Sequence, residues 1–247
     1  MRFARLWLSV VTTVFLLLTA PGRAAEPVDL LLVLAADVSR SVDGPKFQLQ
    51  RDGYAAALTN SRVLDAIRSG PNGRIAVCFV EWSGVTAQKV IVDWSIVKDD
   101  ETARQFGDRL IETPRPFAER TSISGAIDFS VSQFARAPFG ASRRTIDVSG
   151  DGTNNSGRDV RAACDDANGK DITINGLVIL SDRPLAWNPE HTNPPGGLTN
   201  YYRDNVIGGV GAFVMAAEDF QSFGKALINK LIAEIALAPA GDSPTVR

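Results

Sequence analysis

Unbroken apolar runs alternate along this chain with stretches whose apolar positions recur at helical spacing. The first apolar run, Asp29 to Ala36, has no polar alternation, the pattern of a central strand covered on both faces. Asp43-Gly44-Pro45 then opens a helix, with Asp43 as its cap and Pro45 in the first turn, where a missing N–H costs nothing. Phe47, Leu49, Tyr54, Ala55, Leu58, Val63 and Ile67 mark one interrupted helical face, which ends at Gly70-Pro71-Asn72-Gly73. Two strands follow, Arg74 to Trp82 and Gln88 to Trp94, joined only by Ser83 to Ala87. So short a connection requires an antiparallel pair, since a parallel return needs about a dozen residues or more.

The pattern then predicts a helix over Asp99 to Ile111, a Pro/Arg loop over Thr113 to Arg120, and a helix over Ser124 to Phe134. A fourth strand runs Thr145 to Ser149, a helix Asp159 to Ala167 and a fifth strand Ile172 to Ile179. Ser181 to Leu198 carries four prolines and His191, the chain's single histidine, and reads as a surface insertion beside the strand ends. A last strand, Ala212 to Ala216, and an amphipathic helix, Phe220 to Leu237, close the domain. This alternation predicts an α/β fold: a doubly wound, Rossmann-like, mostly parallel six-stranded sheet with one antiparallel edge strand. In such sheets ligands gather beyond the carboxyl ends of the strands, where the strand order reverses.

Arg2 and Arg5, the apolar run Leu6 to Ala20 and the small residues Gly22, Ala24 and Ala25 have the three-part layout of a secretory signal peptide. The expected organisation is therefore a signal peptide over 1–25, a single domain over 26–237 and a disordered tail over 238–247. Cleavage near Ala25 would leave a secreted or periplasmic protein without a membrane span, because no second long apolar segment occurs. The 26 Lys and Arg residues stand against 28 Asp and Glu. Without a basic run, nothing points to nucleic acid or an anionic membrane. Two cysteines and one histidine are too few for a structural zinc site.

The candidate chemistry starts where the first apolar run stops, at Asp37-Val38-Ser39-Arg40-Ser41. One carboxylate and two hydroxyls at alternate loop positions are hard oxygen donors of the kind that suit Mg²⁺ or Mn²⁺. Alone, such a run also fits a helix-capping loop. Thr121, in Arg120-Thr121-Ser122-Ile123-Ser124-Gly125, and Asp151, in Ser149-Gly150-Asp151-Gly152, supply the two further side chains that a cation needs. Ser122 competes with Thr121 for that role.

An Asp-x-Ser-x-Ser loop, a Thr opening a helix and an Asp-Gly after a later strand resemble the metal-ion-dependent adhesion site of von Willebrand factor type A (vWA) domains, in the same chain order. Val80-Glu81-Trp82-Ser83-Gly84, Arg120 to Ile127, Ile146 to Gly152, and Tyr201-Tyr202 through Val206-Ile207-Gly208-Gly209 are similar to a family of secreted bacterial vWA-like proteins of unknown function. The likeness covers Val28 to Ala236. It implies that Ser39, Ser41 and Thr121 bind the cation directly and that Asp37 and Asp151 act mainly through bridging water. A cation held this way keeps most of its charge and an exchangeable position. The resemblance therefore implies a binding module, without catalysis, that docks a protein partner presenting an Asp or Glu carboxylate. Two departures stand out: Arg120 where glycine is common, and Ser-Gly-Asp-Gly where Thr-Asp-Gly or Ser-Asp-Gly is common. The strand order it implies also separates Cys78 from Cys164, favouring two buried thiols over a disulfide.

Two other functions compete. A Mg²⁺-dependent phosphohydrolase would use Asp37 as nucleophile, although Ser39 stands where that chemistry wants a second carboxylate. Alternatively, the metal site is vestigial and partner contacts run through Ser181 to Leu198. Gly208-Gly209-Val210-Gly211 precedes a strand, so it is no phosphate loop. Asp147, in an apolar strand, is expected to pair with Arg143 or Arg144. Glu81 is expected to hold water near the site or to order the Trp82 loop, Asn154 and Asn155 to form a turn or else to hold water around the site, and His191 to be a surface loop residue.

Overall fold

Strand β1, Leu31–Asp37, is buried along its whole length and occupies the middle of the sheet, as its apolar run demands. A computed structural model of the chain describes residues 25–181 and 185–236. The other strands of the main sheet are β2 (Ile75–Trp82), β3 (Gln88–Val97), β4 (Arg144–Gly150), β5 (Thr173–Ile179) and β6 (Val214–Ala217). Their order is β3-β2-β1-β4-β5-β6. All neighbours are parallel except β2 and β3, the antiparallel pair that the short connection requires. A separate parallel pairing joins Glu26–Pro27 to Phe139–Gly140.

Helices α1 (Gly44–Leu58), α2 (Ser61–Arg68), α3 (Asp100–Glu112) and α8 (Phe223–Ala236) cover one face; α4 (Ile123–Phe134), α5 (Val160–Asn168) and α7 (Leu198–Asn205) cover the other, and α6 is the short turn Pro189–Thr192. Asp43 caps α1 by accepting from Lys46 N at 2.9 Å. The interrupted apolar face is in fact two helices, because Asn60 caps α2 through Arg62 N at 3.0 Å. Strand alternation divides the core: Leu32, Leu34 and Ala36 pack with α1, α2, α3 and α8, whereas Leu31, Val33 and Ala35 pack with α4, α5 and α7. Helices α6 and α7 carried no periodic signal, since α6 has four residues and α7 buries only Leu198 and Tyr202.

Cys78 and Cys164 are both buried free thiols, and burial pushes the Cys78 thiol up to about 12. Among the described residues no helix is long and apolar enough to cross a membrane. The expected signal peptide, apart from Ala25, and the expected tail lie outside the described residues, as does Leu237.

Asp147 does not pair with either arginine. Arg144 is an odd number of positions away and faces the other side of β4, and Arg143 lies about 13 Å back along the strand. Lys230 of α8 reaches Asp147 instead, Nζ to Oδ1 at 2.6 Å, and also contacts Glu234 Oε1 at 2.6 Å. Asn175 donates to the same Glu234 oxygen at 2.7 Å. Burial, then the Glu234 charge, push the Asp147 carboxyl up to about 7 against the pull of Lys230. Glu81 likewise serves the core: Arg51 donates to it twice, at 2.8 and 3.0 Å, with both side chains buried.

Candidate metal centre

In the sheet, Ala36 of β1 lies opposite Ser149 of β4, so the loops leaving the two strands begin one strand spacing apart. The chain turns to opposite faces from these two ends, which makes this the switch point where a ligand crevice forms.

The loop after β1 folds back on itself, with Ser39 N donating to Asp37 Oδ1 at 2.7 Å. Its backbone is held from outside. Val38 N extends the ladder to Trp82 O at 2.8 Å, and Gln50 Nε2 donates to Asp37 O at 3.2 Å. Arg115 Nη2 donates to the carbonyls of Val38, Ser39 and Val42 at 2.6, 3.1 and 2.8 Å. The Ser39 and Ser41 hydroxyl oxygens then lie 3.1 Å apart, and Ser41 Oγ donates to Asp151 Oδ1 at 2.5 Å. Lys46 Nζ donates to Ser41 O at 2.9 Å and stands 3.8 Å from Asp151 Oδ2.

Thr121 is stitched to the loop after β4. Its N–H donates to Asn155 Oδ1 at 3.0 Å, and its carbonyl accepts from Asn155 N at 2.9 Å and Ser156 N at 3.2 Å. Ser122 is no rival for the site, because its Oγ caps α4 through Gly125 N at 3.2 Å. Asn154 Oδ1 accepts from Ile123 N and Ser124 N at 2.7 and 3.3 Å. The two asparagines therefore tie two loops together, a larger task than the turn expected of them.

His191 is not a surface residue. It is only 3% exposed, and its Nε2 lies 3.2 Å from Thr121 Oγ1. Its carbonyl accepts from Thr153 N at 2.8 Å. A Cβ on Gly152 would come within 2.2 Å of Nε2, so the glycine after Asp151 is what admits the ring. Burial lowers the pKa of His191, partly offset by the Asp151 charge. A single histidine in a proline-rich loop gave no periodic signal; the only pointer was the small residue at 152.

The five sequence-predicted residues are all buried, and four of them, Asp37, Ser39, Ser41 and Asp151, form one bonded chain. Thr121 shares with Ser41 a cleft of about 230 Å³ rimmed by Arg40, Arg120, Trp187 and His191. Among the described residues, Asp37 Oδ2 is buried without a hydrogen-bond partner, as is Tyr202 Oη. Both close on Gly150, whose added Cβ would meet them at 3.1 and 2.6 Å. Burial first, then the Asp151 charge, push the Asp37 carboxyl up to about 8. Burial raises Asp151 as well, against Ser41 and Lys46.

These features fit a cation. Among the described residues, two carboxylates are buried together with only Lys46, 3.8 Å from Asp151, in ion-pair range, and Asp37 Oδ2 is unbonded. The 3.1 Å separation of the serine hydroxyls is that of neighbouring ligands in an octahedron with arms of about 2.1 Å. Among the described residues no group of three or more His, Cys, Asp and Glu gathers, so the donor set rests on hydroxyls. That favours hard ions over thiolate-type zinc sites.

The family model described as "Protein of unknown function (DUF1194)" matches residues 27–239. This chain belongs to the DUF1194 family. Its fold is the vWA fold, as solved structures show. Proximal thread matrix protein 1 from the mussel byssus, with a zinc-occupied MIDAS motif, is 16% identical with a TM-score of 0.57, over 85% of this chain and 48% of that one. The von Willebrand factor type A structure from Catenulispora acidiphila is 15% identical with a TM-score of 0.55, over 85% and 42%. The pilus adhesin SpaC from Lactobacillus rhamnosus GG, in its open conformation, is 14% identical with a TM-score of 0.55, over 86% and 30%. The DUF1194 chain thus spans about half or less of the length of these structures. No curated protein matches it.

Proposed function

We propose that this DUF1194 protein is an exported interaction module, not an enzyme, that docks a protein partner through a divalent cation, Mg²⁺ or Mn²⁺. Ser39, Ser41 and Thr121 would hold the ion directly, with Asp37 and Asp151 neutralising it at longer range. The observation that carries this reading is the buried Asp37 Oδ2, which has no hydrogen-bond partner among the described residues, on a carboxylate whose other oxygen accepts from the N–H of Ser39, itself paired through its hydroxyl with Ser41. A cation bound mostly by neutral hydroxyls keeps its positive charge, so a carboxylate from another protein is a favourable further ligand. Exposed Arg40 and Arg120 outnumber Glu119, the one acidic residue lining the cleft, and favour an acidic partner in the same way.

Two structural neighbours, one with a MIDAS motif and one a pilus adhesin, support the reading by analogy of fold only. Against a phosphohydrolase, Ser39 occupies the place of the second carboxylate. The test is calorimetric titration of residues 26–247 with Mg²⁺ and Mn²⁺, beside the double variant Asp37→Ala, Ser39→Ala. Equal affinity in the two proteins removes the cation from the site. Capture of a partner from the exported fraction, lost on chelation, is the corresponding result for docking.

A further inference from the structure

One ring nitrogen stands beside a candidate oxygen donor: His191 lines the same cleft as Ser41 and Thr121, and its Nε2 lies 3.2 Å from Thr121 Oγ1. We propose that His191 Nε2 is an additional ligand of the cation, and that it shifts the site's preference from Mg²⁺ toward ions that accept nitrogen, such as Mn²⁺, Co²⁺ and Zn²⁺. The inference rests on reading the site as a cation centre and adds to it a residue from the 181–198 insertion.

Three observations converge. First, Nε2 stands 3.2 Å from Thr121 Oγ1, close to the 3.1 Å between the Ser39 and Ser41 oxygens. Both separations are near the edge of an octahedron built on arms of about 2.1 Å. Second, the ring is held from behind, as ligand histidines are. Nδ1 lies 3.4 Å from Thr153 Oγ1, which can accept its proton, and the His191 carbonyl accepts from Thr153 N. Thr153 belongs to the loop that carries Asp151, so the partner orienting the imidazole moves with the carboxylate. Third, Gly152 leaves the ring a space that any Cβ would fill.

A hydrogen bond to Thr121 alone would latch the insertion without touching an ion, and the two possibilities differ in what the ion feels. Imidazole is a poor match for Mg²⁺ and a good one for Mn²⁺, Co²⁺ and Zn²⁺. In a His191→Ala variant, Co²⁺ and Zn²⁺ affinity should fall by about tenfold or more, while Mg²⁺ affinity stays within about threefold.

The decisive measurement is pulsed electron paramagnetic resonance of Mn²⁺ bound to the wild-type protein, prepared without a histidine tag. His191 is the only histidine, so a nitrogen coupling that changes on ¹⁵N-histidine labelling belongs to it, and no variant has to fold. That result is expected. Bound Mn²⁺ without a histidine coupling overturns this inference and leaves the cation-docking reading standing. Failure to bind Mn²⁺ overturns this inference, and failure to bind Mg²⁺ as well overturns the cation-docking reading.

Discussion

Ser41 and Asp151, 110 residues apart in sequence, meet through a hydrogen bond of 2.5 Å from Oγ to Oδ1. This contact joins the loop after β1 to the loop after β4, so a cation between them would bind only the folded chain. An ion at one hundred times its dissociation constant then stabilises the fold by about 2.7 kcal/mol. For a domain of this size that is a rise in Tm of very roughly 5–11 °C. Scanning calorimetry with Mn²⁺ and with chelator should show the rise in the wild type and its loss in Ser41→Ala and Asp151→Asn. An undiminished rise in Asp151→Asn would place the ion elsewhere.

Asp147 gives the fold a pH dependence of definite sign. Its folded-state pKa of about 7 lies above the ordinary 3.8, so between roughly pH 4 and 7 the native chain holds a proton that the unfolded chain releases. Stability from this group is complete below pH 4 and falls as pH rises to 7, on the order of a few kcal/mol. In Asp147→Asn that loss disappears while Lys230 keeps Glu234 as its counter-ion. Urea unfolding of both proteins at several pH values tests this. The stability difference should change across pH 4–7, and a difference independent of pH refutes the assignment.

Gly152 and His191 are coupled by space. Because a Cβ at 152 would overlap the imidazole, Gly152→Ala should cost about 1–3 kcal/mol through overpacking. The cost should largely vanish when His191→Ala is added. A double-mutant cycle by chemical denaturation measures the interaction; additive effects would mean the ring does not sit over Gly152.

Much of this arrangement was legible in the sequence, for reasons that differ by element. The apolar run into Asp37 could only be a buried central strand, and five residues between β2 and β3 allowed only an antiparallel pair. The order of Asp37, Ser39, Ser41, Thr121 and Asp151 pointed to one corner of the fold because each falls at or near a strand end or helix start, where local pattern is strong. The side chains that support them are different. Arg115 holds three loop carbonyls, Lys46 bridges Ser41 and Asp151, and Lys230 neutralises Asp147 from 83 positions away. None belongs to a motif; their partners are set by how the layers stack. His191 was misread because residues in a proline-rich loop carry no periodicity to say which way they face.

Strand β1 is bonded on both sides, to β2 and to β4, and its alternate residues enter two different cores. A slip of one residue would exchange those cores' side chains and turn Asp37 to the opposite face. The aspartate therefore borrows its aim from the whole hydrophobic interior. A change that loosens the register of the sheet would misplace this carboxylate even with every loop residue intact.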